Sequence, residues 1–272
     1  MIALLGQTVR DEIVHVDGTE EVRCGGAPVF AAAALAAAGI PGVVVTKGGD
    51  DALHADLGRR GLPVLAGPAA DTFVSRLALL EHGEREHEIA ALGEPFTPAD
   101  VGGWARSTLE GASAIVVGTQ WRGDVPPETL AALVALGRPV ILDAQGLARP
   151  GLGAVEPAGP LEPAWTAGAA AVKFSDEEAR ALLGGTDATA LARAGVPVVM
   201  VTYGEGGSDV WSQDDPKPFH VPADRIPRMA DTVGAGDMYT ALFAAALVRG
   251  DRPHDAAAAA SHGVAEILRL RA

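Results

Sequence analysis

The chain has 272 residues, 48% of them hydrophobic, and its 21 basic and 35 acidic residues leave a formal charge of −14. That length can bury one sizeable core, and that charge repels nucleic-acid backbones and anionic lipid, so neither is expected as a partner. Lysine stands only at 47, 173 and 217, so binding of an anionic phosphate is expected to draw on backbone amides, arginines or a metal ion.

In chain order, short apolar runs bounded by turn residues predict strands at 2–5, 43–46, 115–117, 140–142, 170–172 and 198–201. Helical patterning lies between them at 27–38, 51–60, 126–137, 176–183 and 187–194. Strands that alternate with helices imply a mostly parallel sheet covered on both faces, an α/β three-layer sandwich. Two early stretches break the rhythm. Residues 9–24 alternate apolar and polar around Asp17-Gly18, and 72–90 do so around His82-Gly83, which reads as two hairpins forming a small β lid on a single domain spanning 1–272. Residues 144–165, rich in Pro and Gly, read as a long surface loop. Short strands at 208–211 and 219–221, a Gly-rich loop at 231–237 and Ala-rich helices at 238–249 and 254–269 complete the chain.

No apolar run approaches the ~20 residues of a spanning helix, and the first residues lack the basic and apolar regions of a secretion signal, so a cytoplasmic location is expected. The single cysteine, Cys24, reads as a small buried hydrophobe, since nothing near it marks an activated thiol. The seven histidines show no metal-ligand spacing, which argues against a zinc site.

The string Asp231-Thr-Val-Gly-Ala-Gly-Asp237 runs directly into strong helix formers. Gly234, Ala235 and Gly236 carry almost no side chain, so their amides can approach an anion at a helix N-terminus, where the dipole adds about half a positive charge. This makes an anion hole without lysine. Asp237 in the same turn can accept a proton from a hydroxyl as phosphoryl charge develops. The bland reading has Asp237 cap the helix and the glycines make a turn.

That string resembles the C-terminal signature of the ribokinase/PfkB carbohydrate kinases, and further matches follow in order: Cys24-Gly-Gly-Ala-Pro28, Gly48-Gly-Asp-Asp51, Leu142-Asp-Ala-Gln-Gly146, Lys173-Phe-Ser-Asp-Glu-Glu178 and Val201-Thr-Tyr-Gly-Glu-Gly-Gly207. The resemblance implies an ATP- and Mg²⁺-dependent kinase of small sugars or cyclitols, with Asp237 as base and Gly234, Ala235 and Gly236 as anion hole. It implies nucleotide contacts from Ser175, Thr202, Gly204 and Gly207, and a magnesium-organising role for Glu178. Acceptor contacts fall on Asp11, Gly25, Gly26, Gln145 and Arg149, the last two because Gly6-Gln-Thr-Val-Arg-Asp11 and Asp143-Ala-Gln-Gly-Leu-Ala-Arg149 resemble the myo-inositol kinase branch. Ser175 and Phe30 stand where relatives have Asn. Some relatives hold a monovalent cation near the residues that match Asp231 and Val233, and some dimerise through the lid. The alternatives are a nucleoside kinase of the same family or a non-catalytic nucleotide- or polyol-binding protein of that fold.

Overall fold

β-branched runs cut short by glycine and proline build the central strands, whose side chains are buried on both faces as a parallel sheet requires. The computed structural model describes every residue except 49, 81–84, 155–158, 228–230 and 272; the turn expected at His82-Gly83 and the Gly49 of the Gly48–Asp51 string lie outside the described residues. Strands β1 (Ile2–Leu5), β2 (Val9–Val14), β3 (Glu20–Gly25), β4 (Gly42–Lys47), β5 (Val64–Gly67), β6 (Phe73–Leu79) and β7 (Arg85–Ala91) come first. They are followed by β8 (Ala114–Gly118), β9 (Val140–Asp143), β10 (Gly153–Ala154), β11 (Ala171–Ser175), β12 (Val198–Thr202), β13 (Ser208–Ser212) and β14 (Phe219–Val221). The helices are α1 (Ala27–Ala37), α2 (Asp51–Arg59), α3 (Pro98–Gly102), α4 (Arg106–Glu110), α5 (Pro127–Ala135), α6 (Asp176–Leu183), α7 (Ala188–Ala192), α8 (Ala235–Val248) and α9 (Pro253–Arg269).

The nine-stranded sheet runs β14-β13-β12-β11-β9-β8-β1-β4-β5, parallel from β12 to β5 and antiparallel at the β13–β14 edge. Alternate residues serve opposite faces. Leu4, Val44, Val116 and Ile141 meet Ala-rich α1, α8 and α9, while Leu5, Val45, Val117 and Leu142 meet the helices between β7 and β12. This is an α/β three-layer fold. A second sheet, β10-β7-β6-β2-β3, is made mainly from the two hairpins, with β2 and β6 paired in parallel, and it buries Val9, Phe73 and Ile89 beneath it. No helix among the described residues is long and apolar enough to cross a membrane.

Two expectations need correction. Residues 144–165 are not simply a surface loop: Gly146, Leu147 and Ala148 form a buried short 3-10 turn, and a side chain at Gly146 would overlap Thr119. Helix α8 begins at Ala235 rather than 238, because Gly234 adopts a left-handed N-cap (φ 79°) that lets the chain enter the helix three residues early. The elements β5, α3 and α4 were not legible from periodicity.

Candidate active site

β1 sits between β4 and β8, so the first crossover and the later ones leave it in opposite directions, and the crevice at the carboxyl ends of β1 and β8 is where an open α/β sheet binds ligands. A small cavity lies there, lined by Leu5, Pro28, Gly118, Asp143, Asp237 and Thr240 among others. Asp143 ends β9, Lys173 belongs to β11, and Asp237 and Thr240 occupy the first turns of α8.

Asp237 does not cap its helix. The N-cap is Gly234, no side chain caps the turn, and the Asp237 carboxylate has no hydrogen-bond partner among the described residues. Removal from water, with Asp143 next in effect, pushes its pKa up to about 7, against the opposing pull of Lys173 and Arg149; Glu178 adds to the rise. The Ala235 amide is spent on the Thr232 carbonyl at 3.1 Å. The amides of Gly234, Gly236 and Asp237 have no protein acceptor among the described residues and remain available to an anion.

The turn at 234–237 is not free of lysine, as composition suggested. A Cβ on Gly236 would stand 2.9 Å from Lys173 Nζ, so the ammonium lies against the turn. Lys173 Nζ donates to both Asp143 oxygens at 3.1 Å, and both residues are buried, at 5% and 2% exposure. Thr240 Oγ1 donates to Asp143 Oδ2 at 2.9 Å, and the Gln145 amide reaches Asp143 Oδ1 at 3.2 Å. Burial lowers the Lys173 pKa, but its carboxylate neighbours, Asp143 foremost, raise it on balance. Asp143, Lys173 and Thr240 were quoted only as parts of strings or not at all, because a buried ion pair is a property of neighbouring strands and leaves no local pattern.

Arg149 follows the buried 3-10 turn and feels Glu178, Asp237, Asp143 and Asp11, though burial is the larger influence and lowers its pKa. It is thus within electrostatic reach of carboxylates on both sheets. Asp11, on β2, is raised to about 6 by burial, opposed by Ser75, Arg23 and Arg149. Its carboxylate fills the space that a side chain on Gly25 would take. Gly26 follows as the N-cap of α1 at φ 100°. Of these residues Asp143 and Asp237 line the cavity itself, while Lys173, Arg149 and Glu178 act electrostatically on Asp237 and Asp11 lies against Gly25.

The Ser175 and Glu178 side chains are engaged with each other's backbone in a capping box, with bonds of 3.1 and 2.7 Å. Burial raises the Glu178 pKa, opposed most strongly by Lys173. Thr202 pairs with Ser175 across β11–β12, and its hydroxyl donates to Phe174 O at 3.3 Å. Gly204 and Gly207 turn the chain into β13 with φ of 58° and 90°, and Ser208 Oγ meets Tyr239 OH at 2.9 Å, fixing that turn to α8. Phe30 packs its ring against Gly234, so the position expected to lack a polar acceptor contact instead backs the anion turn. His262 lies at the surface, bonded to Asp224 at 2.7 Å, and Cys24 is buried with its thiol pushed up to about 11 by burial.

Among the described residues no cluster of three or more His, Cys, Asp and Glu could hold a metal ion by protein ligands alone. A magnesium ion there would have to be carried mainly on phosphate oxygens, with Glu178, whose Oε2 already accepts the Ser175 amide, one of several carboxylates nearby. A monovalent cation fits less well, because the Val233 carbonyl already accepts from Arg271 Nη1 at 3.0 Å.

Residues 150–269 match the pfkB family carbohydrate kinase model. A pyrophosphate-dependent kinase of the ribokinase family, solved with a pyrophosphate analog and myo-inositol, superposes with a TM-score of 0.81 at 20% identity, over 99% of this chain and 95% of its own. Ribokinase from Arabidopsis thaliana, solved with ribose and ATP, gives 0.79 at 20% identity over 100% and 93%. Ribokinase from Thermotoga maritima gives 0.74 at 18% over 99% and 93%.

Proposed function

We propose that this chain is a carbohydrate kinase of the pfkB kind, and that it transfers the terminal phosphoryl group of ATP to a hydroxyl of a small sugar or cyclitol with Asp237 as the general base. The observation that carries the reading is a carboxylate without a hydrogen-bond partner among the described residues, set in the same helical turn as three open amides and pushed by burial to a pKa of about 7. The acceptor oxygen attacks the terminal phosphorus, the bond to the bridging oxygen breaks and ADP leaves, and the hydroxyl proton passes to Asp237. The amides of Gly234, Gly236 and Asp237, with Lys173 behind Gly236, stabilise the charge on the transferred group.

Asp11 would accept hydrogen bonds from vicinal hydroxyls, with Gly25 and Gly26 giving the ring access to backbone and Gln145 and Arg149 closing the other side. Arg149 is the group that can follow the phosphate from donor to acceptor, since it feels both Asp11 and Asp237. Asp11, Asp143, Glu178 and Asp237 outnumber Lys173 and Arg149, so a polyphosphate would enter with Mg²⁺, which neutralises its oxygens and is held near Glu178. Thr202, Gly204 and Gly207 form the turn beside which the nucleotide would lie, and the second sheet is the lid over the acceptor.

The test incubates purified protein and Mg²⁺ with ATP, or with pyrophosphate in its place, against inositols, pentoses, hexoses and nucleosides. ADP release that depends on one polyol class supports the reading. Turnover with pyrophosphate alone moves the donor to that of the pyrophosphate-dependent structural neighbour. Equal turnover by wild type and Asp237→Asn removes Asp237 as base, and nucleotide and polyol binding without turnover favours a non-catalytic protein.

A further inference from the structure

The stretch 231–233 is exposed, Val233 itself at 53%, so little apolar burial pins the entrance to the anion turn. What holds it among the described residues is polar. Asp231 Oδ1 accepts the Val233 amide at 3.0 Å, and the Val233 carbonyl accepts Arg271 Nη1 at 3.0 Å. The same guanidinium reaches Met238 Sδ at 3.6 Å, so it spans from the carbonyl before the turn to the first residues of α8. Arg271 is delivered there by α9, which ends at Arg269 and packs along α8 in the same core.

The Val233 carbonyl and the Gly234 amide are the two ends of one trans peptide unit and point in opposite directions. A full positive charge at the oxygen end polarises the unit and makes the N–H end a stronger donor, as in any chain of coupled hydrogen bonds. A guanidinium is never neutral in a protein. Its tether fixes it in place on folding, whereas a free ion must be captured from solvent and is lost at low concentration.

We propose that Arg271 is a built-in cation of the anion turn, a positioning residue that stands where a monovalent ion would otherwise serve, so that this protein works without potassium or sodium. The inference rests on the reading of 234–237 as the seat of a phosphate donor. It does not depend on Asp237 being the base, because it concerns donor binding rather than proton transfer.

The experiment uses the whole chain, as wild type, Arg271→Ala and Arg271→Lys, in potassium, sodium or tetramethylammonium chloride at equal ionic strength. Binding of Mg²⁺-ADP and of pyrophosphate is measured by calorimetry, melting temperature by differential scanning fluorimetry, and turnover wherever it occurs. The wild type is expected to bind within about twofold across the three salts. In tetramethylammonium, loss of a hydrogen bond to a charged group should weaken binding by Arg271→Ala about tenfold, with potassium restoring much of that loss and Arg271→Lys in between. A wild type that gains severalfold from potassium overturns the proposal. So does an Arg271→Ala protein that binds like wild type, or whose loss potassium leaves untouched at an unchanged melting temperature, and so does failure of the wild type to bind either probe. Asp237→Asn should abolish turnover while keeping the wild-type indifference to salt, which separates failure of the base from failure of this assignment.

Discussion

Replacing Lys173 with methionine keeps the length of the side chain and removes its charge, leaving Asp143 buried at 2% exposure with its carboxylate facing Asp237 and Glu178. Stranding one partner of a buried pair costs about 3–5 kcal/mol, and for a chain of this size each kcal/mol is roughly 2–4 °C, so the melting temperature should fall by roughly 6–20 °C. A second change, Asp143→Leu, removes the stranded charge. The Thr240 hydroxyl, left without Asp143, can turn its one proton to Gly236 O at 2.9 Å, so the double variant should regain most of the stability. Because Lys173 holds the Asp237 pKa down, the single variant should also move the acid limb of kcat/KM to higher pH. Thermal melts at pH 7.5 and pH–rate profiles of the three proteins give the answer. A single variant that melts within about 2 °C of wild type, or a double variant as unstable as the single, refutes the stranded-charge reasoning; an acid limb that moves down refutes the electrostatic coupling.

The base must be ionised to accept a proton, so kcat/KM is expected to rise with pH through about 7 and level off above it, and a flat profile between pH 5.5 and 8 would count against Asp237. Asp11, Asp237 and Asp124, the last fully buried where it accepts from Gln7 Nε2 and the Gln120 amide, bind their protons more tightly folded than unfolded, with values raised from 3.8 to about 6, 7 and 7. Their stabilising contribution is complete below about pH 4 and lost as pH rises through 6–7, so the melting temperature should fall between pH 5 and 8. Asp124→Asn should make that fall shallower. Gly234→Ala should cost at least about 1–2 kcal/mol for the left-handed backbone, and more because its methyl overlaps the Phe30 ring; adding Phe30→Ala should recover the second part but not the first. Asp11→Asn should raise the KM for the acceptor about tenfold or more, as loss of a charge-assisted hydrogen bond does, while the KM for the donor stays near wild type.

Legibility followed the range of the interactions involved. The positions of β1, β4, β8, β9, β11 and β12 were readable because each strand is buried on both faces and announces itself as an unbroken apolar run, whereas their order in the sheet was not. The short helix α3 carried a signal that periodicity overlooks: Thr97 and Asp100 form both bonds of a capping box, spaced as such boxes are in sequence. The turn at 231–237 was legible because glycine at a left-handed N-cap and a carboxylate in the first helical turn are local requirements.

By itself, then, the sequence determined the α/β class, the Gly-rich anion turn and the acid within it, since periodicity, backbone freedom and helix dipoles act over a few residues. Tertiary structure alone decided that Lys173 and Asp143, 30 residues apart on adjacent strands, would form a buried pair beneath that turn. It also decided that Arg149 would come within electrostatic reach of both Asp11 and Asp237, that Phe30 would back Gly234, and that Arg271 would reach Val233 across 38 residues. The energy of such contacts comes from burial and charge in three dimensions, and no spacing along the chain encodes it.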